Sequence, residues 1–134
     1  MSHLEWDKNW ETGHPLIDFD HRTLVELANR LRELLHQAPD LSAIDHFMVR
    51  LSDLVHKHLP REEEILRLSN FPDLLEHMKE HQIIADRFRH VSDIWHRDPD
   101  NLILDHVLAF VDDWLELHTR HEFGPLSEHL ATQT

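Results

Sequence analysis

The sequence predicts an all-α fold, an up-down-up-down four-helix bundle with an extended N-terminal arm. Three observations predict it. Apolar residues recur at steps of three and four along four long segments. The links between those segments are short and carry Pro, Asn, Asp or Ser. Only two glycines occur in 134 residues, which suits long helices. The chain is long enough for one domain with one core, spanning 1–134.

Residues 1–16 lack a helical period and carry Gly13 and Pro15. They read as an arm lying over the bundle, anchored by Trp6 and Trp10. Asp18 is the expected N-cap or first-turn acid of a first helix over 18–37. Its inward seam is Ile17, His21, Leu24, Ala28, Leu31 and Leu35. After the break at Gln37-Ala38-Pro39-Asp40, Ser42 is the expected cap of a second helix running to about Leu68. That seam reads Phe47, Leu51, Leu54, His58, Glu62 and Ile65. Pro60 falls inside it, where a proline costs about 3 kcal/mol and kinks the helix. Such a kink is either simply tolerated or adjusts the aim of His58 and Glu62.

Ser69-Asn70-Phe71-Pro72-Asp73 forms the next turn. The third helix then runs to about His96, with Leu74, His77, His81, Ile84, Phe88, Val91 and Trp95 inward. Arg97-Asp98-Pro99-Asp100-Asn101 breaks the chain again. The fourth helix runs to about Glu122 with Val107, Val111, Trp114, His118 and Glu122 inward, and Gly124-Pro125 stops it. Residues 126–131 add at most a short turn.

Seven seam positions are polar: His21, His58, Glu62, His77, His81, His118 and Glu122. Three segments, HLPRE, HMKEH and HTRHE, place pairs of them four residues apart, on one helix face. An isolated histidine on an apolar stripe is usually a hydrogen-bonded core residue. Seven converging polar groups are different, because each buried unpaired ion costs on the order of several kcal/mol. A domain's whole stability is only about 5–15 kcal/mol. The pattern therefore points to a buried metal site.

The donors suit iron, manganese, zinc or copper rather than calcium or magnesium. Their number suggests a dinuclear centre. Five imidazoles, two bridging carboxylates and a bridging oxide or hydroxide leave about one of roughly twelve octahedral positions open. That position suits a small end-on ligand such as O₂, peroxide, NO or azide.

Composition excludes other classes. The formal charge is −13, which argues against nucleic acid and anionic membrane as partners. There are no cysteines, so disulfides, thiolate metal sites and cysteine-ligated clusters are excluded. There is no tyrosine, hence no tyrosyl radical. The N-terminus lacks a signal-like apolar stretch and no segment is fit to span a bilayer, so a reducing cytoplasm is the expected compartment.

Taken in order, these residues resemble the hemerythrin family, specifically its single-domain bacterial members. The resemblance covers nearly the whole chain. It rests on Trp6, Ile17-Asp18-Phe19-Asp20-His21, Asn29 with Leu31, and His58 followed by Glu62-Glu63. Phe71-Pro72, Leu75-Glu76-His77, Lys79-Glu80-His81 and Trp114-Leu115 before His118 complete it. It implies an oxo- or hydroxo-bridged pair of non-haem irons that binds O₂ reversibly. By that likeness His77, His81 and His118 look like ligands of one iron, and His21 and His58 of the other, with Glu62 as a bridge.

The sequence departs from the oxygen carriers at three places. Phe123 stands where they carry an Asp, leaving Glu122 as the nearest carboxylate. His121 is the rival for that role. The resulting His-x-x-x-Glu ending resembles the broader hemerythrin-like cation-binding domains. Thr119 replaces an apolar pocket residue, and Leu59 stands where Phe is favoured. Leu59, Trp114, Leu115 and Thr119 are the expected border of the open position. Glu80 reads either as solvated or, like Asp18, as an acceptor behind a ligand histidine. His3, His36, His46, His90, His96, His106 and His129 read as solvated surface, as do Glu63, Glu64 and Glu76.

The expected role is O₂ binding without turnover, by a monomer or weak oligomer. The alternatives are NO or peroxide reduction, which requires an electron donor, and iron handling.

Overall fold

The structure, a computed structural model, describes residues 4–116 and 123–132. Among these residues every regular element is helical. The long helices are α1 (Pro15–Gln37), α2 (Leu41–Leu68) and α3 (Leu74–Arg97), followed by α4 (Leu104–Leu115) and α5 (Phe123–Ala131). Single 3₁₀ turns occupy Lys8–Trp10 and Pro99–Asn101. Helix α1 packs on α2 and α4, while α3 packs on α2 and α4, closing the four-helix ring expected from the seams. No helix among the described residues is long and apolar enough to cross a membrane.

Helix starts differ from the sequence expectation. Helix α1 begins at Pro15, whose missing N–H matters little at a first helical position. The His14 ring caps it by accepting from the Leu16 N–H. Asp18 is therefore the expected first-turn acid and not the N-cap, and its carboxylate reaches back to the arm. It accepts from the Thr12 N–H and hydroxyl, both at 2.8 Å, and from the Gly13 N–H at 3.1 Å. Gly13 has φ +91°, a conformation that a side chain would strain. Asp40, not Ser42, caps α2 by accepting from the Ala43 N–H at 2.8 Å. Pro60 lies within the unbroken span of α2.

The arm is anchored as expected. Leu4, Trp6 and Trp10 pack on the core, and the two tryptophan rings meet edge to face at 5.6 Å. Arg22 lies over the Trp6 ring. Buried Asn29 both accepts from the Leu4 N–H and donates to the Leu4 carbonyl, each at 2.8 Å. Asn29→Ala is expected to lose about 1–2 kcal/mol in denaturant unfolding, from two hydrogen bonds worth about 0.5–1.5 kcal/mol each.

The apolar interior is divided in two. A large cluster contains Leu24, Ala28, Leu51, Ile84, Val111 and Trp114. A smaller one contains Ile17, Leu66, Phe71, Leu126 and Leu130. The seams continue through buried Leu34 and Leu66, where the sequence reading named Leu35 and Ile65. Both neighbours are apolar, so periodicity could not choose between them. On each of the first three helices the break between clusters falls at polar residues. His21 separates Ile17 from Leu24, Glu62 separates Leu59 from Leu66, and His77 and His81 lie between Leu74 and Ile84.

Helix α5 belongs to the smaller cluster through Leu126 and Leu130. Gly124-Pro125, expected to end a helix, lies in the first turn of this one. A first turn tolerates proline for the same reason it tolerates Pro15. His129 is half-buried rather than solvated. Its Nε2 lies 2.8 Å from the Ser69 carbonyl and its ring packs on Phe71, tying α5 to the α2–α3 turn.

Candidate metal centre

Glu62 stands at the middle of the polar layer with 0% of its surface exposed. Its two carboxylate oxygens face different histidines. Oε2 lies 2.6 Å from His58 Nε2, one helical turn earlier on α2, and 3.3 Å from His21 Nε2 on α1. Oε1 contacts His77 Nε2 and lies 3.6 Å from His81 Nε2, both on α3. All four histidines are buried. The structure thus brings together five of the seven seam residues. His118 and Glu122, the rival His121 and the pocket residue Thr119 lie outside the described residues.

The donors form two overlapping triads, His21–His58–Glu62 and Glu62–His77–His81. Within each, one ligand atom per residue lies within 4.8 Å of the others. Metal–ligand bonds of about 2.0–2.2 Å place neighbouring donors roughly 3–4 Å apart, so the spacing fits an ion in each triad. The chemistry fits too. A fully buried carboxylate among neutral imidazoles requires positive charge nearby, either protons on the rings or metal.

Electrostatics without metal show the proton alternative. Burial disfavours the charged form of His58. The Glu62 charge and hydrogen bonds with Asp20 and Glu62 outweigh it and raise its pKa to about 9. For His21 burial wins over the same carboxylate, and its pKa is lowered. Without metal, one imidazole of the triad is therefore charged at neutral pH and its neighbour is neutral.

A residue to which the sequence reading gave no role at the site stands behind His58. Asp20 is 5% exposed, and its Oδ2 lies 3.1 Å from His58 Nδ1. Arg61 donates to both Asp20 oxygens at 3.0 and 3.1 Å. The available signal was an acid beside His21 and a base beside Glu62 on adjacent helices. The sequence reading instead offered Asp18 and Glu80 as acceptors behind the ligand histidines. Asp18 holds the arm, and Glu80 bonds no histidine among the described residues. Glu63 is half-buried, with Oε2 3.8 Å from His81 Nδ1, so it is not a wholly solvated face.

The hemerythrin HHE cation binding domain matches residues 12–124. The chain belongs to this family. Among curated relatives it resembles proteins named bacteriohemerythrin. One, from Clostridium acetobutylicum, is 30% identical over 118 residues, covering 84% of this chain and 90% of the relative. Another, from Aquifex aeolicus, is 28% identical over 114 residues, covering 84% and 86%. A third, from Pseudomonas aeruginosa strain LESB58, is 25% identical over 122 residues, covering 91% and 78%. No solved structure matches the chain significantly.

Within this hemerythrin-family bundle, the three expected border residues that are described, Leu59, Trp114 and Leu115, are buried. Trp114 packs on the His58 ring at 6.0 Å between centroids, and Leu115 joins the large cluster. Leu59 and His81 also line a groove of about 310 Å³ between α2 and α3, with Met78, Gln82 and Phe88.

Proposed function

We propose that this chain is a non-haem di-iron protein that binds O₂, or a related small ligand, at one open coordination position. The split of the Glu62 oxygens between two histidine pairs carries the reading. A mononuclear site needs no carboxylate shared in this way. His21 and His58 would hold one iron, and His77, His81 and His118 the other. Glu62 and Glu122 would bridge them, beside an oxide or hydroxide. The iron pair would supply the redox-active position where the small ligand binds.

The chain's own residues supply the surroundings. Trp114 against the His58 ring and Leu59 in the groove it shares with His81 place apolar surface beside the histidines and limit water. Thr119 would add a hydroxyl to that border. The chain acts as one domain over 1–134 in a reducing cytoplasm, as a monomer or weak oligomer. It has no nucleic-acid or membrane partner.

The α2–α3 groove favours a second reading. It leads from the surface to Leu59 and His81, a path suited to iron exchange or to turnover with an electron donor. In that case the protein handles iron or reduces NO or peroxide.

Anaerobic reduction followed by air, watched by absorption, separates the readings. Reversible binding gives bands that return on repeated cycling. Immediate conversion to a permanently oxidised spectrum supports the second. In the same preparations, elemental analysis is expected to give two metals per chain. His77→Ala and His118→Ala are expected to lose metal, and exposed His36→Ala and His90→Ala to retain it. One metal per chain in well-loaded protein overturns the dinuclear assignment.

A further inference from the structure

We propose that Asp20, held by Arg61, is a positioning residue that orients His58 and makes it an unusually strong donor to the metal position it shares with His21. The inference rests on the metal reading above and concerns what lies behind one ligand. Asp20 belongs to α1, yet its carboxylate crosses to α2 and meets the outer nitrogen of His58. An ionised carboxylate only accepts hydrogen bonds. Once His58 is neutral, as metal binding requires, its remaining hydrogen is held on Nδ1, which leaves Nε2, the nitrogen facing Glu62, to donate its lone pair. A carboxylate in this position also draws on the N–H and raises the basicity of the metal-facing nitrogen.

Arg61 makes the arrangement possible. Two buried carboxylates, Asp20 and Glu62, flank His58, and a buried charge is costly unless it is paired. Arg61 stays charged and engages both oxygens of Asp20. Its own side chain is 35% exposed, so its charge is not stranded in the core. Adjacent residues of α2 thus divide the work, with Glu62 facing the centre and Arg61 facing the residue behind it.

The other side of the centre is built differently. His81 Nδ1 faces Glu63 at 3.8 Å, beyond hydrogen-bond reach, and Glu63 is 25% exposed beside the α2–α3 groove. Among the described donors Asp20 meets only His58, so its loss should act first on the position held by His21 and His58.

Co(II) titration of the metal-depleted protein, followed by visible absorption, tests this. Wild type is expected to take up two equivalents. Asp20→Ala should weaken one equivalent about 10- to 100-fold and leave the other within a few-fold. Asp20→Asn keeps an accepting oxygen but loses the charge. It should retain most of the affinity, while raising the midpoint potential of the iron-loaded protein. Arg32→Gln breaks the α1–α4 ion pair with Asp112 and serves as the structural control; it should change neither quantity. If Asp20→Ala does not fold, Asp20→Asn carries the test through the potential. Wild-type affinity and potential in Asp20→Asn, with both equivalents intact in any folded Asp20→Ala, overturn the proposal. So does the same selective weakening in Arg32→Gln. A wild type that binds no Co(II) instead defeats the metal reading on which the proposal rests.

Discussion

Glu62→Ala is expected to empty both metal positions at once, taking the metal content from two per chain to near zero. The reason is the shared geometry. Every other described donor serves one triad, whereas Glu62 serves both. His77→Ala should by comparison leave the His21–His58–Glu62 set intact. The metal-free protein should suffer as well. Without Glu62, His58 loses the charge that most favours its protonated form, and burial then opposes that form. Breaking a buried charge pair by removing one member costs about 3–5 kcal/mol. Denaturant unfolding of metal-free Glu62→Ala and metal-free wild type reads this loss, and elemental analysis reads the metal. Glu62→Gln keeps the volume and one accepting oxygen, so it should be more stable than the alanine variant yet still fail to hold two metals. Two metals retained in Glu62→Ala would show that this carboxylate is no bridge.

The same site shows what a sequence discloses and what it hides. His21, His58, His77 and His81 were conspicuous because each interrupts an apolar seam, and a seam's direction is fixed by the 3.6-residue period. The period says which face points inward. It does not say which outward or flanking residues meet across two helices. Asp20 lies off the seam, and its contact with His58 depends on how α1 and α2 are rotated against each other. Nothing local encodes that rotation.

Helix ends were hidden for another reason. Asp40 and Ser42 are both good caps, and the choice depends on which residue leaves the helical backbone conformation. Asp18 likewise has the chemistry of a cap and of an acceptor behind a histidine, but the arm's Thr12 and Gly13 N–H groups claim it. Gly124-Pro125 reads as a stop after one helix or as the first turn of the next. Only the apolar contacts of Leu126 and Leu130 with Ile17, Leu66 and Phe71 decide for the next.

Chelation is expected to lower the melting temperature, and the gap between loaded and metal-free protein should widen as pH rises from about 6.5 to 9. A ligand bound only by the folded state at a thousandfold excess over its Kd stabilises that state by about 4 kcal/mol. In a chain of this length that corresponds to roughly 10–20 °C per metal. The pH dependence follows from His58. Its pKa in the metal-free fold is raised above 6.5 to about 9, so the fold favours its charged form. That contribution is fully present below pH 6.5 and is lost as pH rises through about 9. The metal-free protein should therefore weaken over this interval. His21, with its lowered pKa, has the opposite sign, and its cost is felt only on acidification below its unfolded value of 6.5. Metal binding requires neutral His58, so loading must release its proton at neutral pH and grow tighter until the ring is already neutral. Both effects widen the gap in the same direction. Paired melting curves across the interval measure it, and proton release into weak buffer on Co(II) addition provides a second reading. A gap that stays constant or narrows with pH would place the titrating proton elsewhere than on His58.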